Sequence, residues 1–99
     1  MKVVYPVIFT ELKDEEDTIL IEVPDLEIFT QGFGIENAIG MARDAIGIVC
    51  IDCKDEKKEL PKPTEIRKID VSSGEFAKDG EGFVSLVDVD LEEYRKNLH

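Results

Sequence analysis

Apolar and polar side chains alternate in three stretches of the chain, and each alternation predicts a β-strand. The first stretch, Lys2–Thr10, places Val3, Tyr5, Val7 and Phe9 on one face. Thr18–Val23 predicts a second strand, joined to the first by a hairpin tip over residues 11–17, of which five are acidic. Gly82–Val89 alternates in the same way and predicts a strand that closes the sheet. Because Pro6 cannot donate a ladder hydrogen bond, we expect a free side or a broken pairing there.

The middle of the chain changes from strand period to helix period. Phe29 and Thr30 predict a short strand, and Gly32 and Gly34 permit the tight corner that must follow it. A helix is then predicted from Ile35 to the vicinity of Cys53. Its core face, at 100° per residue, is predicted to hold Ile35, Ala38, Ile39, Ala42, Ile46, Val49, Cys50 and Cys53.

The opposite side of this helix is unusual because it contains glycine. It is predicted to carry Glu36, Gly40, Arg43 and Gly47, with Met41 and Ile48 widening the apolar arc on one flank. Each glycine inside a helix costs roughly 1 kcal/mol relative to alanine. Either another group approaches this side closely, or the glycines reflect sequence drift alone.

Punctuating residues dominate the region after the helix. An L-P-K-P run ends the helix, and Thr64–Ile69 predicts one helical turn capped by its threonine. The residues of Ser72–Gly82 are mostly small or charged and predict an exposed loop. Asp90 and Glu93 form a capping-box pattern for a short helical tail, Leu91–Leu98.

Composition and charge restrict the class of protein. A chain of 99 residues with 42% apolar content predicts one domain, and no apolar run approaches the ~18 residues of a membrane span. We therefore expect a cytoplasmic protein. The formal net charge of -11 repels phosphate backbones, which disfavours direct nucleic-acid binding and favours a basic partner. Two cysteines and one histidine are too few for a disulfide framework or a closed zinc site.

The order of several short motifs resembles the HicB antitoxin family. The matching segments are Y-P-V-I-F at Tyr5–Phe9, V-P-D-L at Val23–Leu26, F-T-Q-G at Phe29–Gly32, the helix with its L-P-K-P exit, and F-V-S-L-V-D-V-D at Phe83–Asp90. The resemblance implies an α+β, partial RNase H-like fold of three antiparallel strands, one long helix and a fourth strand beside the first. We expect a four-stranded mixed sheet, with the helix crossing over to a parallel strand and a short C-terminal helical tail.

The same resemblance implies a function. HicB-type antitoxins bind and neutralise HicA, a small basic ribonuclease toxin that cleaves mRNA. Many members continue into a DNA-binding module, so ending at His99 predicts a single domain, residues 1–99, without that module. A homodimer is left open. The alternative from the residues alone is an acidic interaction module for some other basic protein.

Catalysis and metal binding are disfavoured by the placement of acids and thiols. The first strand carries no acid, and Glu36 with Asp88 cannot build a two-metal nuclease site alone. Cys50 and Cys53 fall on the core face near a helix end, which favours buried structural thiols over redox or metal use. The acidic tip Asp14–Asp17 lacks the ligand spacing of a Ca²⁺ loop. We predict no enzymatic activity, no cofactor and no metal.

A toxin-binding surface must be acidic and partly apolar if it is to cover a basic groove. The helix side and the adjoining corner fit this requirement. The predicted contact residues are Phe29, Thr30, Gln31, Glu36, Gly40, Met41, Arg43, Asp44, Gly47 and Ile48. The competing interpretation is that Phe29 belongs to the core and the charges are merely solvated.

Overall fold

A computed structural model describes residues 1–96 of the chain. Its strands and helices are β1 (Lys2–Glu11), β2 (Thr18–Val23), β3 (Ile28–Phe33), α1 (Ile35–Asp55), β4 (Glu81–Asp90) and α2 (Leu91–Lys96). Short 3₁₀ turns span Pro24–Leu26, Ile66–Lys68 and Val71–Ser73. The predicted α+β class and the order of the main elements are confirmed.

The four strands form one sheet in the order β3-β2-β1-β4, and every neighbouring pair is antiparallel. The fourth strand lies beside the first, as predicted, but the expected mixed sheet with a parallel crossover strand is wrong. After α1 the chain crosses the other face of the sheet, and β4 therefore begins with Glu81 opposite Glu11. The partial RNase H-like assignment stays a prediction.

Two facing prolines end the pairing of β1 with β2. The N–H of Leu12 donates to the carbonyl of Thr18, and the register continues to Ile8 opposite Glu22. The next bonded pair in this register would be Pro6 with Pro24, and neither residue has an N–H. The predicted break at Pro6 is confirmed, and the first residues of β1 pair with β4 alone.

The core lies between α1 and one face of the sheet. Four residues of α1, spaced four apart, are fully buried: Ala38, Ala42, Ile46 and Cys50. Of the other predicted core positions, Ile39, Val49 and Cys53 are half-buried. Ile35 is 46% exposed, so its prediction as a core residue is wrong: α1 packs against the sheet one turn later, where the buried Ala38 lies over Gly32.

The second face of the sheet is covered by a segment with little regular structure, residues 60–80, which we call the cover segment. Its anchors are side-chain contacts. The Tyr5 hydroxyl donates to the Pro61 carbonyl at 2.6 Å, and the backbone N–H of Glu75 donates to Glu22 at 2.9 Å. The N–H and hydroxyl of Thr64 donate to Asp25 at 2.8 and 2.6 Å. Thr64 therefore anchors the segment, and its predicted role as a helix cap is wrong.

Helix α2 folds back onto α1. The carboxylate of Asp90 accepts the N–H groups of Glu92 and Glu93 at 3.1 and 3.2 Å, which confirms the predicted cap. These hydrogen bonds, that from Glu93 above all, hold the pKa of Asp90 below its usual value. Leu91 is buried in the core cluster together with Ile51 of α1. The predicted end of the tail at Leu98 lies outside the described residues.

Candidate functional site

An open groove lies between the end of β3 and the amino-terminal half of α1. It has a volume of about 550 Å³ and is lined by Phe33, Glu36, Asn37, Gly40, Met41 and Asp44. We call it the helix-flank groove. One wall is the last residue of an edge strand, and the other is a continuous flank of the long helix.

The corner that joins β3 to α1 fixes the shape of the groove. A Cβ atom on Gly32 would lie 2.7 Å from the Cα of Ala38, so only glycine lets the helix approach this closely. Gly34 turns the chain with a φ of 80°, and its N–H donates to the carbonyl of Asp17 at 2.8 Å. The N–H of Phe33 donates to the side chain of Asn37 at 2.8 Å. The strand end is thereby tied to the first turns of α1.

The groove combines negative charge with apolar surface. Glu36 and Asp44 supply two carboxylates, and none of its lining residues is basic. Phe33 is 51% exposed and Met41 37% exposed. Farther along α1, Ile48 extends the exposed apolar surface. Such a surface suits a partner that presents cationic side chains around an apolar patch.

The predicted contact residues separate into groups. Glu36, Gly40, Met41 and Asp44 come together in the groove, as the helical spacing indicated. A Cβ atom on Gly40 would meet no atom within 4 Å, so this position is open to a partner. Sequence reasoning missed Phe33 and Asn37. The alternation of Phe29, Gln31 and Phe33 along one strand was the available signal for the first of these.

Two predicted residues on the other flank of α1 are engaged within the domain. The guanidinium of Arg43 donates to the carbonyl of Asp88 at 2.9 Å and to its carboxylate at 3.3 Å. Gly47 is buried, and a Cβ atom there would lie 2.8 Å from the ring of Tyr94. The prediction that Gly47 lies on an exposed side is therefore wrong, because α2 covers it. Close approach, rather than sequence drift, explains this glycine.

The predicted residues of β3 lie on both faces of the strand. The side chain of Thr30 shares the helix-facing side with Ile28 and is half-buried, whereas Phe29 and Gln31 lie on the opposite face. The ring of Phe29 makes an edge-to-face contact with Phe76 of the cover segment at 5.9 Å. Phe29 is nevertheless 53% exposed, so the competing interpretation of it as a core residue is wrong.

The described residues offer little to inorganic chemistry. Within residues 1–96 no cluster of three or more histidine, cysteine or acidic side chains is arranged to hold a metal ion. Cys50 is buried, and burial raises the pKa of its thiol, which disfavours the reactive thiolate. Over the same residues no helix combines the length and apolar character that crossing a bilayer requires.

Comparison with known families agrees with the motif order. The profile described as "HicB_like antitoxin of bacterial toxin-antitoxin system" matches residues 5–99. The chain belongs to the HicB-like antitoxin family. The resemblance seen in the sequence is thus confirmed, and it extends over both walls of the helix-flank groove.

Two solved toxin-antitoxin complexes contain chains that resemble this one in structure. One is a toxin-antitoxin complex from Streptococcus pneumoniae: the similarity has a TM-score of 0.81 at 30% identity and covers 95% of this chain and 73% of that one. Another is titled HicA3 and HicB3 toxin-antitoxin complex, with a TM-score of 0.65 at 20% identity over 89% of this chain and 99% of that one. The second similarity concerns the fold alone. No curated protein matches the sequence.

Proposed function

We propose that this HicB-like antitoxin neutralises a small basic, HicA-type ribonuclease toxin by covering the surface with which the toxin binds mRNA. The helix-flank groove is the proposed contact site. The observation on which the proposal rests is the acidic and apolar lining of this groove along the flank of α1. The antitoxin acts by binding the toxin and not by catalysing a reaction. The place of action is the bacterial cytoplasm, where the mRNA is translated.

Electrostatics gives the groove two roles. The negative charge of the domain, -11 overall, attracts a basic toxin and speeds diffusional encounter. Glu36 and Asp44 then occupy a position that RNA phosphates would otherwise take on the toxin, because carboxylates and phosphates compete for the same cationic groups. Steric covering and charge neutralisation therefore act together.

Apolar contact supplies the part of the affinity that salt does not weaken. Phe33 and Met41 are large and exposed, and burying such side chains contributes roughly 25 cal/mol per Å² of apolar surface. The open space above Gly40 lets a partner approach the helix backbone. The resemblance to toxin-antitoxin complexes supports a toxin as the partner. The choice of the groove as the contact site rests on its lining.

Charge reversal in the groove tests the proposal. The double variant Glu36→Lys, Asp44→Lys should associate with the toxin about tenfold more slowly at low salt, and the deficit should shrink as salt rises. The matched control is Glu15→Lys, Glu16→Lys at the exposed hairpin tip, which changes the total charge by the same amount. Stopped-flow association and protection of an RNA substrate are the two measurements.

The control separates local from global effects. If both double variants slow association equally, only the overall charge matters and the groove is not the contact site. A second arm uses Gly40→Gln, which fills open space without touching the core. This variant should speed dissociation at every salt concentration, because it obstructs close docking. Unchanged dissociation would contradict the proposed approach to the helix.

A further inference from the structure

The outer edge of β4 carries backbone groups that no strand pairs. The N–H of Leu91 donates to the carbonyl of Met1 at 2.9 Å, which makes residues 1 and 91 a bonded pair of the β1–β4 ladder. Bonded pairs recur at every second residue of an antiparallel ladder, so Val89, Val87, Ser85 and Phe83 also bond to β1. The N–H and C=O groups of Gly82, Val84 and Leu86 consequently point away from the sheet.

Helix α1 protects both edges of the sheet, but only in part. On β3, Asn37 accepts the outward N–H of Phe33. On β4, Arg43 donates to the carbonyl of Asp88, the next outward group after Leu86. In residues 1–96 no hydrogen bond joins the outward groups of Gly82, Val84 or Leu86 to another part of the chain. A stretch of β4 therefore remains open beyond the Arg43 contact.

The open stretch also lacks the usual defences of an edge strand. Natural edge strands are commonly blunted by lysine, proline, bulges or inward-pointing charges. Here the run G-F-V-S-L-V from Gly82 to Val87 is uncharged, in a chain of which 35% is charged. Phe83 and Leu86 are 37% and 53% exposed on it. An exposed, uncharged edge of this kind is a template for strand addition.

We propose that β4 pairs with β4 of a second copy of this chain, antiparallel about a two-fold axis at Val84. This register places Val84 opposite its own copy and Leu86 opposite Gly82, and the three bonded pairs would contribute about six backbone hydrogen bonds. On the other face it places Phe83 opposite Ser85. Each large exposed side chain thus faces a small one, which makes the edge complementary to itself.

The proposed pairing also avoids direct contact between like charges. The two-fold pairing places Glu81 opposite Val87 and leaves Asp88 outside the bonded region, so no carboxylates face each other directly. The remaining unfavourable term is the long-range repulsion between two chains of charge -11. Because salt screens this repulsion, dimer formation should strengthen as salt rises. Binding of a basic toxin would show the opposite salt dependence, which distinguishes the two interfaces.

Sedimentation of the isolated chain across a dilution series is the first test. We expect a reversible dimer whose dissociation constant falls with added salt. Leu86→Lys should raise that constant about tenfold or more, since a lysine on the edge opposes strand pairing. The matched control, Ile48→Lys, places the same charge on a similarly exposed apolar residue of α1 and should leave the dimer intact. A chain that stays monomeric throughout overturns the proposal.

Cross-linking tests the register separately. In a bonded antiparallel pair the two Cα atoms lie about 5.5 Å apart, and the side chains are too widely spaced for an easy direct disulfide, so a short thiol-bridging reagent should link the two copies of Val84→Cys. The control Leu86→Cys places its two copies four residues apart along the strands, about 13 Å, and should not cross-link. Bridging by Leu86→Cys and not by Val84→Cys would refute this pairing. Neither assay requires the toxin.

Discussion

Gly47 can be exchanged for alanine to test whether the ring of Tyr94 requires a glycine. In Gly47→Ala the new methyl would lie 2.8–2.9 Å from Cγ, Cδ2 and Cε2 of the ring, where carbon contacts favour about 3.5–4.0 Å. Moving the ring by that difference also strains the hydrogen bond from its hydroxyl to the Asp44 carbonyl, 3.2 Å long. Overpacking of this kind costs about 1–3 kcal/mol. The substitution therefore has a penalty that depends on one side chain.

The same substitution has an opposite effect through the helix itself. Replacing an interior glycine of α1 with alanine stabilises the helix by about 1 kcal/mol. In the wild-type background, Gly47→Ala should lower the free energy of unfolding by about 1 kcal/mol. In a Tyr94→Ala background, where the ring is absent, it should raise it by about 1 kcal/mol. The coupling between the two positions is thus about 2 kcal/mol.

Urea unfolding followed by circular dichroism measures this cycle. Gly40→Ala is the matched control, because the space around a Cβ atom there is empty. It should stabilise the protein by about 1 kcal/mol with or without Tyr94. The contrary result is that Gly47→Ala stabilises the wild type as much as Gly40→Ala does. In that case the Tyr94 ring does not require a glycine at position 47, and the packing of α2 on α1 is misassigned.

Two further predictions concern the core. Ile46→Asp places an unpaired charge in the fully buried helix–sheet interface and should unfold the domain, whereas Ile48→Asp on the exposed flank should leave it folded. Far-ultraviolet circular dichroism distinguishes the two results. A folded Ile46→Asp variant would contradict the assigned core face. Burial raises the pKa of Tyr5 from 10.0 to about 12, so unfolding releases a proton between these pH values and stability should fall as pH rises through them. Tyr5→Phe removes the hydrogen bond to Pro61 and should lower the free energy of unfolding by about 1 kcal/mol at pH 7. The stability of this variant should also fall less than that of the wild type as pH rises. An equal fall in both proteins would exclude Tyr5 as the source of the pH dependence.

The parts of the fold that depend on local periodicity were predictable. Ala38, Ala42 and Ile46 repeat every four residues, so the buried face of α1 is visible in the sequence. The break in the β1–β2 ladder was predictable from Pro6, because a missing N–H is a property of the residue itself. The strand bounds were less exact, and β4 extends one residue past each predicted end.

Contacts between distant segments were not predictable in the same way. The burial of Gly47 depends on Tyr94, and the direction of β4 depends on how the cover segment crosses the sheet. Neither relation leaves a periodic signal. In the candidate site, helical spacing brought Glu36 and Asp44 together, but it could not show that Arg43 reaches Asp88 across the other flank.

The weak attachment of the cover segment affects where a protease would begin to degrade the protein. Segments held by few contacts open at lower free energy than the whole domain, and a protease reaches such openings first. Here residues 60–80 form no strand pairing with the sheet, and the segment is held by side-chain contacts such as those of Thr64 with Asp25 and of Phe76 with Phe29. None of these residues lines the helix-flank groove. Degradation can therefore begin on a surface that a partner bound in the groove leaves uncovered. The lifetime of the protein and its affinity for that partner can consequently vary independently.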